Sequence, residues 1–205
     1  EVCRPRADLL QDANRSYALN LNDLANEQID PGEFFSENYV TQGMEQLVRV
    51  AFERFEKRSP TALVKLTQAM GGGKTHNMVV LGLLAKHPEF RKSLSIKNKE
   101  AIRVVAFSGR ESDTPNGIWG AIARQVGKEE EFRDYYSPML KAPGETAWIR
   151  MLQSETPTLI LLDELPPYYE NLPSIPVGNS DLSVVTTTAL ANLFTAISKK
   201  ELSNV

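Results

Sequence analysis

A run of glycines followed by lysine and threonine is the feature that most constrains this chain. Residues 68–75 read QAMGGGKT, and they stand between a β-prone run, 61–67 (TALVKLT), and a stretch at 77–85 that is apolar on nearly every side. A glycine loop that joins a strand to a buried helix is typical of α/β folds that hold an anion at the start of the helix. The sequence therefore predicts an α/β fold with a parallel sheet.

The other apolar runs continue this alternation of strand and helix. Residues 102–107 (IRVVAF) and 158–162 (TLILL) are continuously apolar, which suits buried parallel strands. Residues 166–181 are rich in proline and also contain tyrosine and glycine, and they predict a long loop. Apolar residues at helical spacing predict helices at 41–57 and 182–199, and residues 118–126 and 146–152 also look helical. The apolar character of 77–85 on nearly every side predicts a helix that is buried against the sheet. This order is that of a parallel sheet covered on both faces.

The length of the chain suits one α/β domain with appended segments. The sequence has 205 residues, which is enough for one such core. Residues 1–38 are polar and interrupted by proline and glycine, so they predict an irregular arm. We therefore expect residues 1–57 to form an N-terminal arm and helix that pack on a core, 58–205.

Charge and cysteine content exclude several classes of protein. The 23 basic and 26 acidic residues nearly balance, which argues against a free-standing DNA-binding module. Cys3 is the sole cysteine, so an internal disulfide and a cysteine-based zinc site are both excluded. The first residues are charged, and no apolar run reaches the roughly 18 residues that a membrane span needs. These observations lead us to expect a cytoplasmic protein.

The glycine loop has the chemistry of a phosphate-binding loop. Its backbone N–H groups can turn around an anion, Lys74 can reach the β and γ phosphates, and the Thr75 hydroxyl can coordinate magnesium. The usual pattern is GxxxxGK[ST], but Gln68 replaces its first glycine, and a flexible turn with a solvated lysine is the alternative. His76 is a further candidate, with packing as the alternative. The candidate contacts with ATP are Ala69, Met70, Gly71, Gly72, Gly73, Lys74, Thr75 and His76.

Two acids follow the last apolar strand. Asp163 and Glu164 end the run TLILLDE. Burial of carboxylates at the end of a strand is energetically unfavourable unless a cation pairs with them. In a phosphate-loop enzyme the first acid holds Mg²⁺, and the second activates the attacking water. A solvated strand end is the alternative for this pair alone. Together with the glycine loop, the acidic pair predicts that Lys74 and Glu164 are catalytic and that Thr75 and Asp163 hold the metal.

Several motifs resemble those of known ATPases. The glycine loop, the acidic strand and one strand between them resemble the additional-strand branch of P-loop ATPases, in particular the AAA+ group. EVCRPR, FFSENYVTQGM, GGGKTH, NGIWGAIARQ, APGETAW and LILLDELPPYY are similar to a large bacterial ATPase family that is catalogued as a domain of unknown function. Members of that family are encoded beside DNA methyltransferases and helicases in anti-phage and restriction-like clusters.

The resemblance implies a setting and further site residues. It implies ATP turnover in a complex with DNA methyltransferase or helicase components, with homo-oligomerisation and indirect DNA contact both open. Tyr39, Val40 and Thr41 fall where AAA+ relatives contact adenine, with packing as the alternative. The family's sensor strand, arginine finger and helical lid are not found up to Val205, so the resemblance implies an incomplete AAA+-like core. Arg110 falls near the expected active edge, with an ordinary loop residue as the alternative.

Three hypotheses about function follow. The first is an ATP hydrolase that powers or gates a DNA-acting complex, and Glu164 favours it. The second is a nucleotide-sensing scaffold that binds ATP with negligible turnover. The third is a purely structural domain, which Lys74 and Thr75 disfavour.

Overall fold

The computed structural model describes residues 19–67, 73–94, 96–110, 113–136 and 138–205. Its α-helices are α1 (Leu21–Ala25), α2 (Pro31–Glu37), α3 (Gln42–Phe55), α4 (Lys74–Lys86), α5 (Gly117–Val126), α6 (Glu145–Leu152), α7 (Leu165–Asn171) and α8 (Leu182–Ile197). Its strands are β1 (Arg103–Ser108), β2 (Thr158–Asp163), β3 (Pro176–Val177) and β4 (Ser180–Asp181). Short 3₁₀ helices occupy Pro88–Leu94, Glu129–Tyr135, Leu172–Ser174 and Lys200–Leu202.

A parallel pair of strands, β1 and β2, lies at the centre of the molecule. The register runs from Arg103 opposite Thr158 to Ser108 opposite Asp163. Both strands arise from the apolar runs that predict buried strands, so these two predictions are confirmed. Because the strands are parallel, their carboxyl ends, Ser108 and Asp163, lie side by side.

Helices cover both faces of this pair. On one face, Val105 and Phe107 of β1 pack with buried residues of α5, α6 and α8, and we call this cluster the α8-side core. On the other face, Ala106 of β1 and Leu161 of β2 pack with buried residues of α1, α3 and α4, and we call it the α4-side core. Side chains alternate between the faces of a strand, so burial on both sides requires the continuous apolar character that the sequence shows.

Helix α4 has a continuous buried stretch. All residues from Met78 to Ala85 are buried, which confirms the prediction of a helix apolar on nearly every side. The helices predicted at 41–57, 118–126, 146–152 and 182–199 are likewise present as α3, α5, α6 and α8. The predicted P-loop NTPase assignment of this α/β arrangement stays a prediction.

The outer edge of β1 is closed by a side chain. The Nε2 group of Gln125 donates a hydrogen bond of 2.8 Å to the Ala106 carbonyl. The Ala106 N–H donates in turn to Oε1 of Gln125 at 2.9 Å. The Gln125 carboxamide carries both a donor and an acceptor, so it hydrogen-bonds the N–H and carbonyl groups at this edge as a neighbouring strand would. On the outer side of β2, the Thr158 N–H donates to the Asn204 carbonyl at 2.9 Å.

The predicted strand at 61–67 is wrong, since this stretch has no strand structure. Leu63 and Val64 are 53% and 43% exposed. Strand propensity depends on a partner strand and on burial, and β1 and β2 pair with each other and not with residues 61–67. The β-prone composition of residues 61–67 is therefore not sufficient to form a strand.

The predicted loop at 166–181 is also wrong in part. Leu165–Asn171 is a helix, and proline occupies its first turn, where a missing N–H costs nothing. A short antiparallel pair follows, with Pro176 opposite Asp181. Prolines here mark the start of a helix, although their density suggested an irregular segment.

The arm predicted as irregular at 1–38 contains two short helices in its described part. Asn20 caps α1, because its side chain accepts a hydrogen bond from the Asp23 N–H. Asp30 caps α2 in the same way through the Glu33 N–H. Within the ranges given above, no helix is both long and apolar enough to cross a bilayer.

Candidate functional site

The amino terminus of α4 is held in place by the burial of the rest of the helix. Gly73, its N-cap residue, adopts a left-handed conformation with φ 73° and ψ 25°. Glycine is suited to this conformation because it carries no Cβ. Lys74 and Thr75 are the first two residues of the helix. The first N–H groups of a helix lack partners within it and carry partial positive charge, so this end favours an anion.

The carboxyl end of β2 reaches the same place. The Thr75 hydroxyl, Oγ1, donates a hydrogen bond of 2.5 Å to Oδ2 of Asp163, across a sequence separation of 88 residues. Asp163 is the last residue of β2, and its Oδ1 accepts from the Glu164 N–H at 2.9 Å. The start of α4 and the end of β2 are thus in direct contact, as the sequence predicts for the loop and the acidic pair.

Glu164 has an unusual backbone conformation. Its φ of 52° and ψ of 36° are left-handed, which is uncommon for a residue with a side chain. The Glu164 carbonyl packs on Gly109, where an added Cβ would lie 2.3 Å from that oxygen. The Gly109 N–H donates to the Asp163 carbonyl at 3.0 Å. The residues that follow β1 and β2 are therefore locked together through a position that only glycine fits.

The Glu164 carboxylate is paired with a cation. Nη2 of Arg110 lies 3.6 Å from Oε2 of Glu164, and the two side chains are 65% and 41% exposed. The sequence placed Arg110 near this edge without assigning it a partner. A glycine directly after an apolar strand was the available signal for the close approach at Gly109.

His76 packs against the N-terminal arm. Its ring lies 5.5 Å from that of Phe34 in α2, measured between centroids. Burial lowers the pKa of the His76 imidazole. The packing alternative for His76 is therefore observed, and a contact with nucleotide stays a prediction.

The candidates for the adenine contact lie between α2 and α3. Tyr39 is 86% exposed, and Val40 packs at the margin of the α4-side core. The Thr41 hydroxyl accepts a hydrogen bond from the Met44 N–H at 3.3 Å and so caps α3. Capping gives Thr41 a structural role, while base contacts by Tyr39 and Thr41 stay predictions.

The rest of the glycine loop lies outside the described residues. This applies to the candidate contacts Ala69, Met70, Gly71 and Gly72. It applies equally to Arg4 and Arg6 at the start of the chain.

The oxygen atoms of Thr75 and Asp163 fit a small divalent cation. Mg²⁺ prefers oxygen ligands, and it is usually held by one or two carboxylates together with water and phosphate oxygens. A hydroxyl and a carboxylate that already touch at 2.5 Å need little movement to share such an ion. Within the described part of the chain, no group of three or more His, Cys, Asp or Glu residues is arranged as a metal site.

One comparison with known proteins gives a match. Residues 17–111 match the family model of the DUF499 N-terminal domain. This range includes Lys74, Thr75 and β1, and it ends before β2. The match supports similarity to a family catalogued as a domain of unknown function. No curated protein and no solved structure matches the chain.

Proposed function

We propose that this chain is an ATP-binding and ATP-hydrolysing domain whose site lies between the start of α4 and the end of β2. The observation that supports this most is the hydrogen bond between the Thr75 hydroxyl and the Asp163 carboxylate. It joins the glycine loop and the acidic strand, which are far apart in sequence and which phosphate chemistry needs side by side.

Each residue of the site has a separate role in this proposal. The N–H groups of the glycine loop would bind the phosphates, and Lys74 would neutralise their charge. Thr75 and Asp163 would hold Mg²⁺ through a hydroxyl and a carboxylate oxygen, and the bound ion would neutralise charge on the phosphates. Glu164 orients the attacking water and accepts its proton.

The Asp163 carboxylate is oriented by two hydrogen bonds. The carboxylate accepts from Thr75 and from the Glu164 N–H, so hydrogen bonds satisfy both of its oxygens. These two hydrogen bonds hold the carboxylate in place beside the start of α4. A bound metal ion would replace the Thr75 proton as the partner of this carboxylate.

Calorimetric titration with ATP in the presence and absence of Mg²⁺ tests the binding step. We expect saturable, Mg²⁺-dependent binding by the parent, and loss of most of that affinity in Lys74→Ala. Lys99→Ala is the matched control, since Lys99 is an exposed lysine in the segment that leads into β1. Binding by Lys74→Ala as tight as by the parent and the control would refute the proposal.

Phosphate release tests the chemical step. Glu164→Gln should retain ATP binding and lose turnover, because an amide cannot accept the proton of water. An unchanged rate would remove Glu164 from the mechanism. If the parent and Glu164→Gln both bind ATP and neither turns it over, the second candidate function, a nucleotide-sensing scaffold, is favoured. The ion pair between Glu164 and Arg110 favours this second function, because it engages the carboxylate that hydrolysis would need.

The cellular role that we propose is to power or gate a DNA-acting, anti-phage complex with methyltransferase or helicase components. The resemblance of the sequence motifs supports this role. The match of residues 17–111 supports only the more general similarity to a family of unknown function. Co-purification of the parent with such enzymes, in ATP and in its absence, is the test. ATP-independent association or none at all would contradict this role. An arginine finger from a partner would be worth about 10³ to 10⁵ in rate, so we expect slow turnover by the chain alone.

A further inference from the structure

We propose that Tyr168 is a positioning residue, which anchors α7 against the end of β1 and thereby fixes the place of Glu164 in the site. This inference rests on the proposed function, because Glu164 is the residue assigned there to the attacking water. It concerns how the fold holds that residue and adds no group to the chemistry itself.

Helix α7 depends on outside contacts for its position. It has seven residues with prolines in its first turn, and it starts directly after Glu164, which is its N-cap residue. Helices this short are marginal unless tertiary contacts support them. Of the seven residues, only Tyr168 is buried, with 6% of its surface exposed. The position of α7, and of Glu164 at its start, therefore depends on how the Tyr168 side chain is held.

The main chain and Cβ of Tyr168 pack closely against the residues that follow the two strands. The Tyr168 N–H donates a hydrogen bond of 3.4 Å to the Glu164 carbonyl. A Cβ added at Gly109, directly after β1, would lie 2.6 Å from the Tyr168 Cβ and 2.3 Å from the Glu164 carbonyl oxygen. The first turn of α7 therefore lies directly on the backbone that follows β1.

The Tyr168 ring attaches α7 to β1. It meets the ring of Phe107 edge to face, with the centroids 5.3 Å apart and the ring planes at 84°. Phe107 is 1% exposed, so this contact lies within the α8-side core. Edge-to-face packing is a favourable arrangement of two aromatic rings. The buried ring pair therefore holds α7 at the carboxyl end of β1.

The Tyr168 hydroxyl fixes how the ring lies in the core. Thr114, in the segment between β1 and α5, donates a hydrogen bond of 3.3 Å to this hydroxyl across a sequence separation of 54 residues. A buried tyrosine hydroxyl requires such a partner. Phenylalanine would keep the ring contact and lose only this hydrogen bond. The hydroxyl can therefore be tested separately from the packing of the ring.

ATP turnover by Tyr168→Phe tests the positioning role. A neutral hydrogen bond changes an equilibrium constant by about 2- to 12-fold, so we expect kcat to fall by about that factor. The affinity for ATP should stay unchanged, because the variant leaves the residues assigned to the phosphates and Mg²⁺ intact. Burial raises the pKa of Tyr168 above its ordinary value of 10. The hydroxyl therefore stays protonated, and the fall in kcat should be the same from about pH 6 to about pH 9.

Three further variants serve as controls. Thr114→Val removes the other partner of the same hydrogen bond, so it should lower kcat to a similar extent, and the double variant should lower it no further. Thr114→Ser retains a hydroxyl and should turn over at nearly the parent rate. Tyr169→Phe is the matched control, since the hydroxyl of this neighbouring tyrosine bonds to the exposed Thr187 at 3.4 Å. It should keep the parent rate.

Urea unfolding of the same variants without nucleotide gives a readout that is independent of activity. The cycle of Tyr168→Phe with Thr114→Val should give a coupling of about 2- to 12-fold in the unfolding constant. An unchanged kcat in Tyr168→Phe, a loss of ATP affinity in step with kcat, or absence of this coupling each overturns the proposal. If the parent does not bind ATP, the proposed function fails and the positioning role falls with it. An active parent with an equally active Tyr168→Phe refutes the positioning role alone.

Discussion

Replacement of Arg91 by methionine should destabilise the protein by about 2–5 kcal/mol. Arg91 is 1% exposed, and it joins the end of α4 to the segment that leads into β1. Its Nε donates to the Leu84 carbonyl and its Nη2 to the Ala85 carbonyl. Its Nη1 donates to the Glu100 carbonyl at 2.9 Å. Burial lowers the pKa of Arg91 to about 10, so the group is still charged at pH 7.

The magnitude follows from what each carbonyl loses. The Ala85 carbonyl keeps a hydrogen bond of 2.8 Å from the Ile102 N–H. Leu84 is 1% exposed, so the substitution would leave its carbonyl buried without a hydrogen-bond partner, at a cost of about 1–3 kcal/mol. Bonds to the more accessible carbonyls, where water can replace the guanidinium, contribute about 0.5–1.5 kcal/mol each. Methionine preserves much of the apolar contact, so packing is a smaller part of the loss.

Urea unfolding followed by tryptophan fluorescence measures this change. Trp119 and Trp148 are both 0% exposed, so their emission should shift when the core opens. Arg133→Met is the matched control, because the Arg133 side chain is 75% exposed. If Arg91→Met unfolds at the same urea concentration as this control, the buried guanidinium does not stabilise the fold, and the reasoning fails.

Two further substitutions test the acid–base and steric arguments. Burial raises the pKa of Glu56, but hydrogen bonds from Arg58 and from two backbone N–H groups outweigh it and lower that pKa below its ordinary 4.5. A carboxylate with a lowered folded pKa stabilises the protein above the unfolded pKa, and this contribution is lost as pH falls through the folded value. Glu56→Gln should therefore cost about 1–3 kcal/mol at pH 7 and progressively less below about pH 4.5, whereas an equal cost at pH 3 would contradict the assignment. Gly109→Ala places a Cβ 2.3 Å from the Glu164 carbonyl, so urea unfolding should show a loss of about 1–3 kcal/mol. Gly144→Ala meets nothing within 4 Å, and equal stability of these two glycine variants would refute the clash.

The central elements of the fold could be predicted because their signals are local and strong. The apolar runs that form β1 and β2 need burial on both faces, and the apolar residues of α4 exclude a surface helix. The convergence of Thr75 with Asp163 is expected from a parallel sheet whose strand ends share one side. The contact is observed, although residues 61–67, the strand expected before the loop, do not form one.

The remaining features depend on contacts that a sequence does not display. Residues 61–67 have strand composition, but whether a strand forms depends on pairing elsewhere. Helix α7 begins with prolines that equally suit a loop. Arg91 is of a residue type found mostly at the surface, so its burial against backbone carbonyls carries no local signal. The pairing of Arg110 with Glu164 likewise required the register of β1 and β2.

Anomalous diffraction from crystals grown with Mn²⁺ and a non-hydrolysable ATP analogue tests the central claim most directly. The proposed site predicts a manganese peak about 2 Å from the Thr75 hydroxyl oxygen, beside the Asp163 carboxylate, with the phosphates at the start of α4. A manganese peak or nucleotide bound elsewhere, with Thr75 and Asp163 still hydrogen-bonded to each other, would contradict it.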